Sequence, residues 1–216
     1  EIINLKRKLD PWKNKNRTIK RIIWAPHHSI TEGGYLNCSN FLNIYQTMFD
    51  LADKYKNHIQ IAFKPHPILL SKLYNHSSWG KEKAETYYKK WEEISNGQLE
   101  TGEYVDLMLT SDAMIHDSVS FTVEYLYTKK PVLYLAKNNH SENLCDFGKL
   151  AFDQHYKGSN NEEIENFIVE VVLGKNDFRV EARKKFFNDY LLPPNDKLVA
   201  ENIFNEILIG LKWNIG

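Results

Sequence analysis

Four short apolar runs constrain this chain more than any other feature: Arg21–Ala25, Ile59–Phe63, Ala113–His116 and Pro131–Ala136. They are separated by stretches with apolar residues at helical spacing. Strands of four to six apolar residues alternating with helices call for a parallel sheet covered on both faces and joined by right-handed crossovers. The expected fold is therefore α/β, a Rossmann-like parallel sheet flanked by helices, with a helical C-terminus.

The helical stretches can be placed by their stripes. Phe41, Tyr45, Met48, Phe49, Ala52 and Tyr55 mark a helix over 39–56 with Ser39 or Asn40 as N-cap. Tyr87, Tyr88 and Trp91 mark an amphipathic, largely exposed helix over 81–95, its aromatic side read as a packed face rather than a membrane or partner surface. A short strand is expected at Gln98–Thr101 and short helices at Tyr104–Thr110 and Ser120–Thr128. Three helices are expected over 161–173, 178–190 and 197–212, the last with Val199, Ile203, Ile207 and Leu211 in one stripe. A loop is expected through Gly33-Gly34. Residues 1–20, polar and basic with Pro11, read as a linker or lead-in to one domain over 21–216.

Composition excludes several functions. Lysine plus arginine equals aspartate plus glutamate, 28 against 28, which argues against general nucleic-acid binding. Cys38 and Cys145 lie far apart without a CxxC and suit reduced, buried thiols better than a disulfide or zinc framework. No apolar run approaches the roughly 20 residues that span a bilayer, and the polar N-terminus is not a signal peptide. The sequence does not begin with Met and reads as part of a longer protein. GxGxxG is absent. Gly97–Glu103 has P-loop glycine spacing, but Glu103 stands where lysine is essential. No HExxH or cysteine cluster supports zinc, and the acidic residues are too scattered for a cation cage, so neither metal nor cofactor is expected.

The chemistry concentrates where the apolar runs end. In Lys64-Pro65-His66-Pro67 two prolines brace one imidazole just past a strand's carboxyl end, where open α/β sheets bind ligands. His66 can donate to a phosphate oxygen and Lys64 adds charge; the bland alternative is a solvent-facing loop histidine. His116-Asp117-Ser118-Val119-Ser120 lies between a strand and a helix start, whose amides and hydroxyls suit an anion. Glu124, one turn on, can accept from ribose hydroxyls. Simple capping explains either serine about equally well and is compatible with binding. Trp24-Ala25-Pro26-His27-His28-Ser29 repeats the strand–proline–histidine pattern. Adjacent histidines should point apart, so at most one of His27 and His28 is expected to act.

The run Thr110–Phe121, continuing through Glu124-Tyr125-Leu126 and Lys130–Tyr134, resembles the nucleotide-binding block of the CDP-glycerol glycerophosphotransferase family. Phe63–Pro67 resembles the family's basic-x-His-Pro motif, and Trp24–His28 its first-strand motif. The resemblance spans roughly residues 20–140. Two departures stand out: Asp117-Ser118-Val119-Ser120 where Asp-Tyr-Ser-Ser is common, and His27-His28-Ser29 where an Arg motif is expected.

The resemblance implies a GT-B fold, with this chain as its C-terminal donor-binding half and the acceptor half missing. It implies transfer of glycerol phosphate or a related group from a CDP-linked donor to a bacterial surface polymer such as teichoic acid. The donor would be held by Lys64, His66, His116, Asp117, Ser118, Ser120 and Glu124. Catalytic candidates would be His66, His27 and His28. Partners would be the donor, a polymer or lipid-linked acceptor and the missing half of the same protein, in the cytoplasm with peripheral contact at the inner face of the membrane. The alternatives are a GT-B glycosyltransferase using a CMP- or UDP-sugar for capsule or lipopolysaccharide, and a non-catalytic nucleotide-binding module.

Overall fold

The structure is a computed structural model that describes residues 9–31, 38–137 and 144–213. Its centre is a six-stranded parallel sheet: β1 (Lys20–Ala25), β2 (Ile59–Phe63), β3 (Gly97–Leu99), β4 (Ala113–His116), β5 (Val132–Leu135) and β6 (Tyr156–Gly158). Their spatial order is β3-β2-β1-β4-β5-β6. The chain builds outward from β1 to β3, then returns to the other side of β1. Neighbouring loops therefore diverge above β1 and β4, leaving a crevice at their carboxyl ends.

Each central strand is buried on both faces, which is why the sequence reads as apolar runs rather than alternation. In β1, Ile22 and Trp24 belong to one core and Ile23 and Ala25 to the other. The first core takes in α1 (Phe41–Lys54), α2 (Leu69–Tyr74) and α3 (Gly80–Glu93). Trp24, Phe41, Phe63 and Trp91 pack there with centroid separations of 4.8–6.3 Å. Ala84, Tyr87, Tyr88 and Trp91 all turn inward from α3, so its aromatic side is core. The second core takes in α4 (Val105–Thr110) and Tyr125. The last third holds α6 (Asp146–Phe152), α7 (Asn161–Asn166), α8 (Val180–Phe186) and α9 (Val199–Trp213), with π-helical turns extending α7 and α8.

Three expectations are revised. The described part of the lead-in is no loose tether. Trp12 is fully buried and donates to Thr110 Oγ1 (3.0 Å), and Asp10 pairs with buried Arg21 (3.0 Å). An apolar ring inside a polar stretch is enough to dock it. Cys145 is exposed, not buried: its sulfur accepts from the Gly148 amide (3.4 Å) at the start of α6. Ser120–Thr128 is not one helix but a single α-turn, α5 (Phe121–Glu124), followed by a 3₁₀ turn over Tyr125–Thr128. The Gly33-Gly34 loop lies outside the described residues. No helix among the described residues is long and apolar enough to cross a membrane.

Candidate functional site

Backbone pairing runs on past the strands. The amides of Lys64 and His66 donate to the carbonyls of Trp24 (2.8 Å) and Pro26 (3.0 Å). This lays the β1 and β2 exit loops side by side and brings three histidines together. Ring centroids are 4.2 Å apart for His27 and His28, 4.3 Å for His28 and His66, and 5.2 Å for His27 and His66. Adjacent His27 and His28 thus do not diverge as expected, because both rings pack on His66.

The trio's ligand atoms lie within 4.8 Å of one another, close enough for a cation by distance alone. The backbone argues for a different chemistry. The Ile68 amide donates to His66 Nδ1 (3.2 Å), and the Ser29 amide to His27 Nδ1 (3.3 Å). A neutral imidazole whose Nδ1 accepts carries its proton on Nε2. Both rings therefore present N–H donors, which suit an anion rather than a metal. Burial and the neighbouring charge of His28 and Lys64 lower the pKa of His66, keeping it neutral near physiological pH. Burial and Lys72 do the same for His28, whose buried Nδ1 has no hydrogen-bond partner among the described residues. Cys38 and Ser29 also sit against His27 Nδ1, at 3.3 and 2.9 Å. Burial pushes the Cys38 thiol up to about 11, so it is not a thiolate nucleophile.

Beside the trio lies a crevice of about 300 Å³ at the carboxyl ends of β1, β2 and β4. Lys64, His66, Ser118, Ser120 and Glu124 all line it, so residues from two distant stretches meet on one surface. The Lys64 ammonium is largely buried and lies 5.3 Å from the centroid of the Tyr104 ring. Burial lowers its pKa, while Glu100 and Glu103 oppose the shift. The Tyr104 hydroxyl donates to Glu124 Oε1 (2.9 Å), fixing that carboxylate at the crevice wall. Burial, then this bond, pushes the Tyr104 phenol up to about 12, so it remains a donor. The sequence reading missed Tyr104 and Glu103. Their signal was position, just beyond the Leu99 strand end.

His116 and Asp117 are placed differently: both are completely buried. His116 is wedged between Tyr134 and His155, with Nδ1 3.0 Å from the Ser118 carbonyl. Burial lowers its pKa to about 3. Asp117 accepts the backbone amides of His27 and Asn40, each at 2.6 Å, tying the β1 exit loop to the start of α1. Burial raises its pKa to about 7 against the pull of these bonds. In this arrangement both residues position the loops around the crevice and neither lines it. Ser120 has no side-chain cap bond, and one α-turn offers a weaker dipole than the full helix expected. Lys64, His66, Ser118 and Ser120 therefore supply the hydrogen-bond donors that line the crevice.

A parallel sheet in this order, with polar strand exits converging on a crevice at the switch point, defines a Rossmann-like domain. The chain belongs to the CDP-Glycerol:Poly(glycerophosphate) glycerophosphotransferase family, which it matches over residues 6–209. No curated protein matches the sequence. Among solved structures, two variants of the wall teichoic acid polymerase TagF share the fold. They align with TM-scores of 0.55 and 0.51, each at 15% identity over 94% of this chain and 46% of theirs. A UDP-GlcNAc 2-epimerase from Neisseria meningitidis bound to UDP-GlcNAc aligns with a TM-score of 0.49 at 18% identity, over 78% of this chain and 39% of its own. The chain thus spans less than half the length of each of these structures.

Proposed function

We propose that this chain binds the nucleotide end of a CDP-linked donor, within a protein that transfers glycerol phosphate or a related group to a bacterial surface polymer. One observation carries the reading: Lys64, His66, Ser118, Ser120 and Glu124, from separate strand exits, line one crevice at the switch point of a glycerophosphotransferase-family chain. The His66 Nε2–H, the Lys64 ammonium and the serine hydroxyls face the pyrophosphate, and Glu124, held by Tyr104, accepts from the ribose.

In the reaction an acceptor hydroxyl oxygen attacks the β-phosphorus. The bond from that phosphorus to the bridging oxygen breaks, and CMP leaves with the bridging oxygen and its electron pair. Lys64 and His66 stabilise charge growing on the leaving phosphate. The hydroxyl proton goes to a base. That base comes from outside this chain, with His27 and His28 the lesser candidates within it, because neither lines the crevice and Ser29 and Cys38 engage Nδ1 of His27.

Calorimetric titration with CDP-glycerol, with UDP-GlcNAc as competitor, tests the reading. The expected result is binding that UDP-GlcNAc displaces poorly and that His66→Ala weakens about tenfold, roughly 1.4 kcal/mol, without shifting thermal stability. Equal affinity in both proteins, or no binding to either, would contradict it.

A further inference from the structure

A second cavity, of about 520 Å³, lies on the far side of the Lys64–Pro67 loop, between α2, α3 and the end of β3. It shares Pro65, His66, Pro67 and Thr101 with the nucleotide crevice, so one loop separates the two. We propose that this groove binds a neutral polyhydroxy unit, a sugar or polyol, belonging to the acceptor. The proposal rests on the donor reading above for its place in the reaction, but its binding chemistry is independent.

Three features select that ligand. Leu70, Tyr74, Tyr88 and Leu99 supply apolar and aromatic walls that suit the C–H faces of a sugar or polyol. Glu85 and Glu92 outnumber the single cation, Lys89. The two carboxylates accept from hydroxyls and repel a phosphodiester, in contrast to the anion-directed crevice next door. Tyr74 donates to Glu85 (2.9 Å), fixing one carboxylate as Tyr104 fixes Glu124. Finally, Tyr88 is only 7% exposed and its hydroxyl has no partner among the described residues. A bound hydroxyl would satisfy that oxygen, an arrangement favoured by the cost of leaving it unpaired. Occupation of the groove sets the bound unit against His66, which also lines the nucleotide crevice.

Methyl-labelled protein titrated separately with glycerol, ribitol, methyl β-glucoside and CDP-glycerol tests this by NMR. At least one neutral probe should shift the Leu70 and Leu99 methyls saturably. Leu70→Trp, which fills the groove, should weaken that binding at least tenfold. Glu92→Gln should weaken it severalfold and serves if Leu70→Trp does not fold. CDP-glycerol should perturb chiefly the crevice. Absence of saturable shifts with all three neutral probes, or undiminished binding in the variants, overturns the groove assignment while leaving donor binding intact. Absence of CDP-glycerol binding overturns the donor reading instead, and the neutral titrations still decide the groove.

Discussion

The two strand-exit loops at Lys64–Pro67 and His116–Ser120 carry similar residue types at equivalent places in the sheet, yet the structure uses them differently. After β2, Lys64 and Pro65 are buried, while His66 is half-buried and lines the crevice, its Nδ1 accepting from the Ile68 amide. After β4, the chain passes between β1 and β5, the most enclosed position in the sheet, so its first polar residues are swallowed. His116 and Asp117 become ties between loops, and the crevice is left to Ser118, Ser120 and Glu124. Which side chains reach the crevice wall, not residue type, separates the two groups: Lys64 and Ser118 are buried yet line it, whereas His116 and Asp117 do not.

Substitutions should break this contrast in a definite order. Asp117→Asn places an amide NH₂ against one of two backbone donors, leaving the His27 or Asn40 amide unpaired. The expected loss is about 2–3 kcal/mol of stability, read by denaturant unfolding; a loss below 0.5 kcal/mol would mean that the tie is dispensable. For His116, the ordinary pKa of 6.5 falls to about 3 in the fold, so its neutral form is favoured. The stability it contributes is complete above pH 6.5 and drains away as pH falls toward 3. Between pH 7 and 5 this one group accounts for about 2 kcal/mol. His116→Phe should flatten the acid limb of the stability profile by that amount, and an unchanged slope would reject the assignment. The smallest effect is expected at Glu124→Gln, which keeps an oxygen for Tyr104 but halves the acceptors facing the ribose. CDP-glycerol affinity should fall about threefold to tenfold with unfolding midpoints unmoved.

Much of this was legible in the sequence, because β1, β2, β4 and β5 are short enough and apolar enough to announce strands buried on both faces. The crevice was legible too, since prolines and histidines mark strand exits directly. What escaped depended on tertiary packing. α2, α6 and β6 are short and leave little periodicity. Burial of Trp12 and Asp117 is decided by surfaces distant in sequence, against the polarity of their neighbours. The clustering of His27 and His28 on His66 depends on cross-loop hydrogen bonds that no local pattern encodes. Glu124 was found from helical spacing, whereas Tyr104, the residue that aims it, required the three-dimensional neighbourhood.

On the proposed function, the crevice at the β1–β4 switch point holds the nucleotide diphosphate. A crystal structure with bound CDP tests it most directly. The expected complex has a pyrophosphate oxygen within hydrogen-bonding distance of His66 Nε2, others facing Lys64 and Ser118 or Ser120, and the ribose on Glu124. CDP bound elsewhere, or with its phosphates turned away from His66, would contradict it.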